Sequence, residues 1–291
     1  MTSLPYEIVD VFTDRPFTGN QLAVVFEADA LDTAQLQALA REFNLAETVF
    51  PLPPTQPGAT YRVRIFTPYQ ELPFAGHPSV GVAATVVRQG FAGAVPGRVV
   101  QECGIGLLPI DVSGDIARLT GGEPAIGPEL DPAPYLASVG LTEADFAGPA
   151  ARAASCGLFW TYLSVHPDAV ARAEHDTVAA KRNGTGMLSV FAWDPQTRVA
   201  HTRVFCPEVG VPEDPATGSA ALAFGVWLVA SGLLPGEGES GYTIRQGIEM
   251  HRPSVLSGTV TAVDGKAVST TVAGHVVPVA RGEVAVPPFV G

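Results

Sequence analysis

Two stretches of the chain place small residues, a titratable side chain and an apolar run in the same order. Phe66–Ala83 reads FTPYQELPFAGHPSVGVA and Glu208–Ala221 reads EVGVPEDPATGSAA. In each, a turn-rich loop delivers small residues to the start of an apolar helix. First-turn N–H groups lack intrahelical partners, and the helix dipole adds partial positive charge there. Two such ends facing one cleft would hold a carboxylate or oxyanion without any Lys or Arg. Gly76, Ala216 and Gly218 would let a ligand come close to the backbone. A histidine such as His77 ordinarily titrates near neutrality, and an aspartate such as Asp214 can accept from an amine or orient an imidazole. Plainer readings stand beside these. His77 also fits a helix cap, Asp214 an Asp–Pro turn, and Gly218–Ser219 an ordinary cap. Asn20, in Thr18-Gly19-Asn20, fits a turn former, and Glu47 fits a solvated carboxylate at a helix–strand junction.

The elements that must position these residues follow from hydrophobic patterning. Ser79–Val87 (SVGVAATVV) and Ser219–Ala230 (SAALAFGVWLVA) are apolar all round. A helix without a polar face is buried on every side, and wrapping a curved sheet about it is the simplest way to bury it. Their flanks match as well. Phe66-x-Pro68 precedes Gly76-His77-Pro78-Ser79 and a helix ending before Gly90, while Phe205-x-Pro207 precedes Gly218-Ser219 and a helix ending before Gly232. A spacing of about 140 residues suits a duplicated domain better than a solenoid repeat.

Ala34–Phe43 is a further helix, with Leu36, Leu39, Ala40 and Phe43 on one face and Asp32 with Gln35 as a capping box. Strand character falls at Tyr6–Phe12, Leu22–Phe26, Thr48–Leu52, Tyr61–Phe66, Arg98–Gln101 and Leu107–Val112. It recurs at Thr161–Val165, Leu188–Ala192, Ala200–Phe205, Gly258–Val263 and Val276–Ala280. Many strands with few helices argue for α+β rather than an alternating parallel sheet. Ser113, Gly114, Gly121 and Gly122 break the pattern. The expected halves are therefore residues 1–115, with a central helix at 79–88, and 116–291, with one at 218–230, leaving open a return of the last residues to the first half. Glu123–Ala180 matches no motif.

Composition bounds the partners. The 291 residues carry a formal charge of −12, with 46% hydrophobic and 16% charged residues. That is globular rather than disordered, and the acidic field with no Lys/Arg cluster argues against nucleic acid. Cys103, Cys156 and Cys206 are odd in number and lack metal-type spacing, which fits a reduced cytoplasmic interior. Met1–Asp10 does not read as a signal peptide, and Ala220–Ala230 is too short to span a bilayer, so no membrane partner is expected. His166, His175, His201, His251 and His275 form no metal-ligand set, and neither a GxGxxG nor a P-loop motif points to a nucleotide cofactor. Trp160, Trp193 and Trp227 read as core.

Five segments in order, DRPFTGNQLAVV (Asp14–Val25), NLAETVF (Asn44–Phe50), FTPYQELPFAGHPSVGVA, EDPATGSAA and QGIEMHRPS (Gln246–Ser254), resemble the PhzF-like phenazine-biosynthesis isomerase family. The resemblance implies a diaminopimelate-epimerase-like fold, with two pseudo-symmetric halves, each a curved, mostly antiparallel sheet round a central helix. It further implies cofactor-free proton transfer on a small carboxylated molecule, possible substrates including trans-2,3-dihydro-3-hydroxyanthranilate, and a homodimer. The epimerase relatives carry paired cysteines at the two helix starts. Ala75 and Pro215-Ala216 lie there instead, and Cys206 falls too early, which disfavours two-thiol racemisation. By the motif, Glu47 is the proton-shuttling acid/base, and its apolar flanks suit a carboxyl group that gains and loses a proton near neutral pH. His77 and Asp214 match the positions handling polar substituents. Gly76, Gly218 and Ser219 match the backbone donors for a carboxylate, and Asn20 is expected to line the site and bind substrate. A related amino-acid-type epimerase and a non-catalytic small-molecule-binding protein are the alternatives.

Overall fold

The computed structural model describes residues 3–207 and 211–288, so Glu208–Gly210 of the second loop motif lie outside the described residues. The chain divides into two compact units. One runs to Leu119 and takes in the segment from Ala273 onward; the other is Thr120–Val272.

The first unit contains β1 (Ser3–Val11), β2 (Asn20–Val25), α1 (Thr33–Phe43), β3 (Glu47–Leu52), β4 (Tyr61–Phe66) and β5 (Glu71–Leu72). It continues with α2 (Gly76–Gln89), β6 (Gly97–Cys103), β7 (Gly106–Ser113) and β8 (Ile116–Thr120). The second contains β9 (Ala125–Leu130), α3 (Ala133–Ser138), β10 (Ala151–Ser155), β11 (Phe159–Ser164), α4 (Pro167–Arg172) and α5 (Thr177–Asn183). Then follow β12 (Leu188–Asp194), β13 (Val199–Cys206), β14 (Val211–Asp214), α6 (Gly218–Ala230), β15 (Gly238–Gln246) and β16 (Ser254–Val263). The long β17 (Lys266–Ala285) runs from the second unit into the first.

In the first unit, β-branched and aromatic runs form a ring of strands. β1 pairs antiparallel with β2, β2 parallel with β3, β3 antiparallel with β4 and β4 parallel with β6. β6 and β7, then β7 and β8, pair antiparallel; β17 pairs with β8 and, antiparallel, with β1. The order returns to its starting strand, so α2 lies inside it, touching β1, β2, β3, β6 and β7. Every α2 residue from Gly76 to Val86 is buried. A methyl group on Gly81 would lie 2.6 Å from Leu22 and 2.8 Å from Val11, so glycine lets β1 and β2 press onto the helix. β3 is buried from Thr48 to Leu52, because α1 also packs on it. There Leu36, Leu39 and Ala40 join Leu4, Phe50, Leu52 and Phe66. Burying one leucine is worth about 1.5–3 kcal/mol.

The second unit runs through the same succession of pairings. β9–β10 and β10–β11 are antiparallel, β11–β12 parallel, β12–β13 antiparallel, β13–β15 parallel and β15–β16 antiparallel. α6 packs on β9, β10, β11 and β16, with Gly218 and Ala220–Val229 buried. Tyr162 and Tyr242 donate from their hydroxyls to the α6 carbonyls of Ala220 and Ala221, at 2.6 and 2.7 Å. The segment 123–180, without a motif in the sequence, builds β9–β11 and α3–α5. It buries Leu136, Val139, Leu163, Val165 and Val170 against Val190 and Phe205.

The structure adjusts several sequence expectations. α2 begins at Gly76 rather than Ser79, because Pro78 falls in the first turn, where its missing N–H breaks no helical bond. Among the described residues the sheet is mixed, with parallel pairings of β2 with β3, β4 with β6, β11 with β12 and β13 with β15 among the antiparallel ones. β5, β8, β9, β10, β14 and β15 are strands that the patterning does not mark. Trp160 and Trp227 are core, whereas Trp193 is half-buried. Among the described residues, no helix is long and apolar enough to cross a membrane.

Candidate active site

Four of the expected site residues come together in the first unit. α1 ends at Asn44, whose positive φ of 50° turns the chain, and β3 then starts at Glu47. β3 lies parallel to β2 with Glu47 opposite Leu22, just after Asn20 and Gln21, the two β2 residues that bond the His77 ring. Inside the ring, α2 opens with Gly76 and His77. His77 Nε2 lies 3.5 Å from Glu47 Oε2, and the Glu47 side chain is 13% exposed rather than the solvated carboxylate of the plainer reading.

Hydrogen bonding fixes the form of His77. Nε2 lies 3.3 Å from the Gln21 carbonyl, which can only accept, so Nε2 carries the proton. Nδ1 accepts from the Asn20 amide at 3.2 Å. Burial drives the imidazole pKa down from 6.5 to about 3, against a smaller upward pull from the Gln21 bond. His77 is therefore neutral at ordinary pH, and its approach to Glu47 is the contact of a neutral ring with a carboxyl group rather than an ion pair, its one N–H being engaged by the Gln21 carbonyl. Nor is it a helix cap: Ala75 is the N-cap of α2, and it supplies no side-chain bond. The amides of Gly76 and His77 thus open α2 without a capping side chain.

Asp214, Gly218 and Ser219 form a second cluster, within the other unit. Asp214 closes β14 and is 9% exposed. Its Oδ2 accepts from the Thr217 hydroxyl at 2.6 Å. Thr217 is the N-cap of α6 yet makes no side-chain capping bond, so the opening amides of this helix also lack a capping side chain. Gly218–Ser219 is accordingly the first turn rather than the cap. Ser219 Oγ accepts from Trp160 Nε1 at 3.2 Å, which leaves its own hydroxyl proton to be donated.

Thr217, Gln246 and Trp160 bear on this cluster and were not singled out as site residues. Gln246 was legible only as the first letter of QGIEMHRPS, and Trp160 only as core.

A family model described as phenazine biosynthesis-like protein matches residues 9–282. An uncharacterized isomerase of Mesorhizobium japonicum is 37% identical over 97% of this chain and 99% of its own length. The trans-2,3-dihydro-3-hydroxyanthranilate isomerase of Pseudomonas fluorescens is 32% identical over 96% of this chain and 98% of its own. Among solved structures, a PhzF-family phenazine biosynthesis protein of Bacillus anthracis superposes with a TM-score of 0.87 at 24% identity, covering 98% of this chain and 100% of that one.

Proposed function

Because the chain belongs to the phenazine biosynthesis-like family, whose relatives include named isomerases, we propose that it is a cofactor-independent isomerase in which Glu47 moves a proton between two carbons of a small carboxylated substrate. The observation that carries this is the Glu47–His77 arrangement: a largely buried carboxyl group with the ring of a neutral imidazole 3.5 Å away.

The ionised Glu47 takes a proton from an activated C–H, and the C–H electrons form a new double bond as the old one shifts. Protonated Glu47 then delivers the same proton to the far carbon, which restores the carboxylate and leaves the substrate's atoms unchanged in number. His77 is a poor acceptor for that proton, because burial holds its pKa at about 3 and both ring nitrogens are engaged, Nε2 by the Gln21 carbonyl and Nδ1 by Asn20; it packs beside the Glu47 carboxyl group and shields it from water. Asp214 accepts from an amino or hydroxyl substituent, and Ser219 donates. In each unit the opening helix amides, at Gly76 in the first and at Gly218–Ser219 in the second, are suited to a substrate carboxylate. Positioning and a carboxyl group shielded from water supply the rate enhancement.

The candidate substrate is trans-2,3-dihydro-3-hydroxyanthranilate, whose isomerisation gives an enol that relaxes to a ketone. A duplicated origin for the two halves, supported by their shared order of strand pairings, a homodimer, expected from the family resemblance, and a cytoplasmic location, expected from the three cysteines, belong to the same proposal. Sedimentation of the purified protein tests the dimer.

Proton NMR of that substrate with the protein in D2O tests the chemistry, with Glu47→Gln alongside. Double-bond migration with wild type and none with the folded variant is the expected outcome. Comparable turnover by both would remove Glu47 from the role. Deuterium uptake without migration would identify an epimerase instead. No change in any signal, with ligand-dependent thermal stabilisation, would identify a binding protein.

A further inference from the structure

We propose that Gln246 is a positioning residue for Asp214, acting through the Thr217 hydroxyl. This rests on Asp214 as a substrate-orienting group. Gln246 ends β15 and is 1% exposed. Its Nε2 donates to the Asp214 carbonyl at 2.7 Å and to Thr217 Oγ1 at 3.0 Å, and its Oε1 accepts from the Thr217 N–H at 3.2 Å. A carboxamide nitrogen has two hydrogens, and these partners use both. Since the Thr217 hydroxyl receives one of them, its own proton goes to Asp214 Oδ2. The direction of the relay is thereby set, from amide to hydroxyl to carboxylate.

The backbone supports the same grip. Gly247, with a φ of 75°, could not carry a side chain: a Cβ there would lie 2.5 Å from the Arg252 carbonyl and 2.7 Å from that of Pro215. The Asp214–Thr217 loop therefore sits directly on the end of β15. Thr217 occupies a position where threonine usually caps the helix, yet its hydroxyl bonds Asp214 instead.

The first unit offers a contrast. Gln101 sits on β6, which is parallel to β4 as β15 is to β13. It accepts from the Tyr61 hydroxyl at 2.9 Å and donates to Ser79 Oγ at 2.9 Å, which donates to the Ala75 carbonyl at 2.8 Å. That relay ends on helix backbone, whereas the Gln246 relay ends on a carboxylate.

The test compares Thr217→Val, Thr217→Ser and Gln246→Met. Turnover of trans-2,3-dihydro-3-hydroxyanthranilate, thermal midpoints and crystal structures are measured for each. Thr217→Val and Gln246→Met are expected to lower kcat about 10- to 100-fold, the scale set by a displacement of roughly 1 Å. KM should change by no more than about threefold, and Thr217→Ser should keep wild-type kcat within about threefold. In the structures of Thr217→Val and Gln246→Met, the Asp214 carboxylate is expected to have rotated or shifted by about 1 Å. Wild-type kcat in folded Thr217→Val, or an unmoved carboxylate in both variants, would overturn the proposal. If wild type itself leaves this substrate unchanged, the functional reading fails, and the carboxylate position in the variants still decides the relay.

Discussion

Replacing His77 with glutamine should change how the protein responds to acid. In the folded protein the imidazole stays neutral down to about pH 3, while in the unfolded chain it protonates at its ordinary 6.5. Below 6.5 the unfolded state therefore binds a proton that the folded state refuses. Stability is fully present above 6.5 and falls with pH until about 3, where the folded form also protonates. Each pH unit in that window removes about 1.4 kcal/mol, so wild type loses on the order of 3 kcal/mol from this residue between about pH 7 and pH 4. His77→Gln lacks this loss, whatever it costs at neutral pH through altered packing. Urea unfolding of both proteins at the two pH values gives the difference directly. Nitrogen-15 NMR of labelled histidine supplies the independent check, with His77 expected to stay neutral and protonated on Nε2 at pH 5. A His77 resonance titrating near 6.5, or an equal acid loss in the variant, would refute the reasoning. In the proposed mechanism, proton refusal by His77 is consistent with Glu47 carrying the proton.

Two further substitutions test the scaffold. Gly258→Ala would place a methyl carbon 2.1 Å from the Tyr242 ring, whose hydroxyl is bonded to α6. It should destabilise the protein by about 1–3 kcal/mol, and an unchanged thermal midpoint would show that Tyr242 yields freely. Asp32→Ala removes a reciprocal capping box, in which the carboxylate accepts from the Gln35 N–H at 2.8 Å and Gln35 Oε1 from the Asp32 N–H at 3.1 Å. The expected loss is about 1 kcal/mol in urea unfolding, with most of it restored by Asp32→Asn.

The two central helices were legible because no polar face interrupts them, and the α1 cap because its residues are three apart. The strands that escaped notice lack that redundancy. β15, GESGYTIRQ, buries mainly alternate residues from Ser240 to Gln246, two of them polar, and β10 is alanine and serine with one arginine. Their burial comes from neighbours on the sheet rather than from their own hydrophobicity. Glu47 could be ranked from its motif but not from its surroundings. His77, which faces it, lies thirty residues away on a different element. Thr217 and Gln246 are hidden for the same reason: threonine before a glycine reads as a cap, and its true partner is 29 residues downstream.

β17 has a consequence for how the chain comes into being. It is the last strand described, yet in the first unit it pairs with both β1 and β8. A ribosome that has reached Leu119 has made nearly every strand of that ring except the one that closes it. Until the segment from Ala273 emerges, β1 and β8 each present an open edge, the feature by which nascent chains recruit strands from one another. The whole of Thr120–Val272 must be synthesised in the meantime. Closing the ring is thus among the most non-local events in folding and among the slowest to be rewarded. The N-terminal unit is first to be translated and last to be finished, so its exposed edges need guarding for as long as the second unit takes to appear.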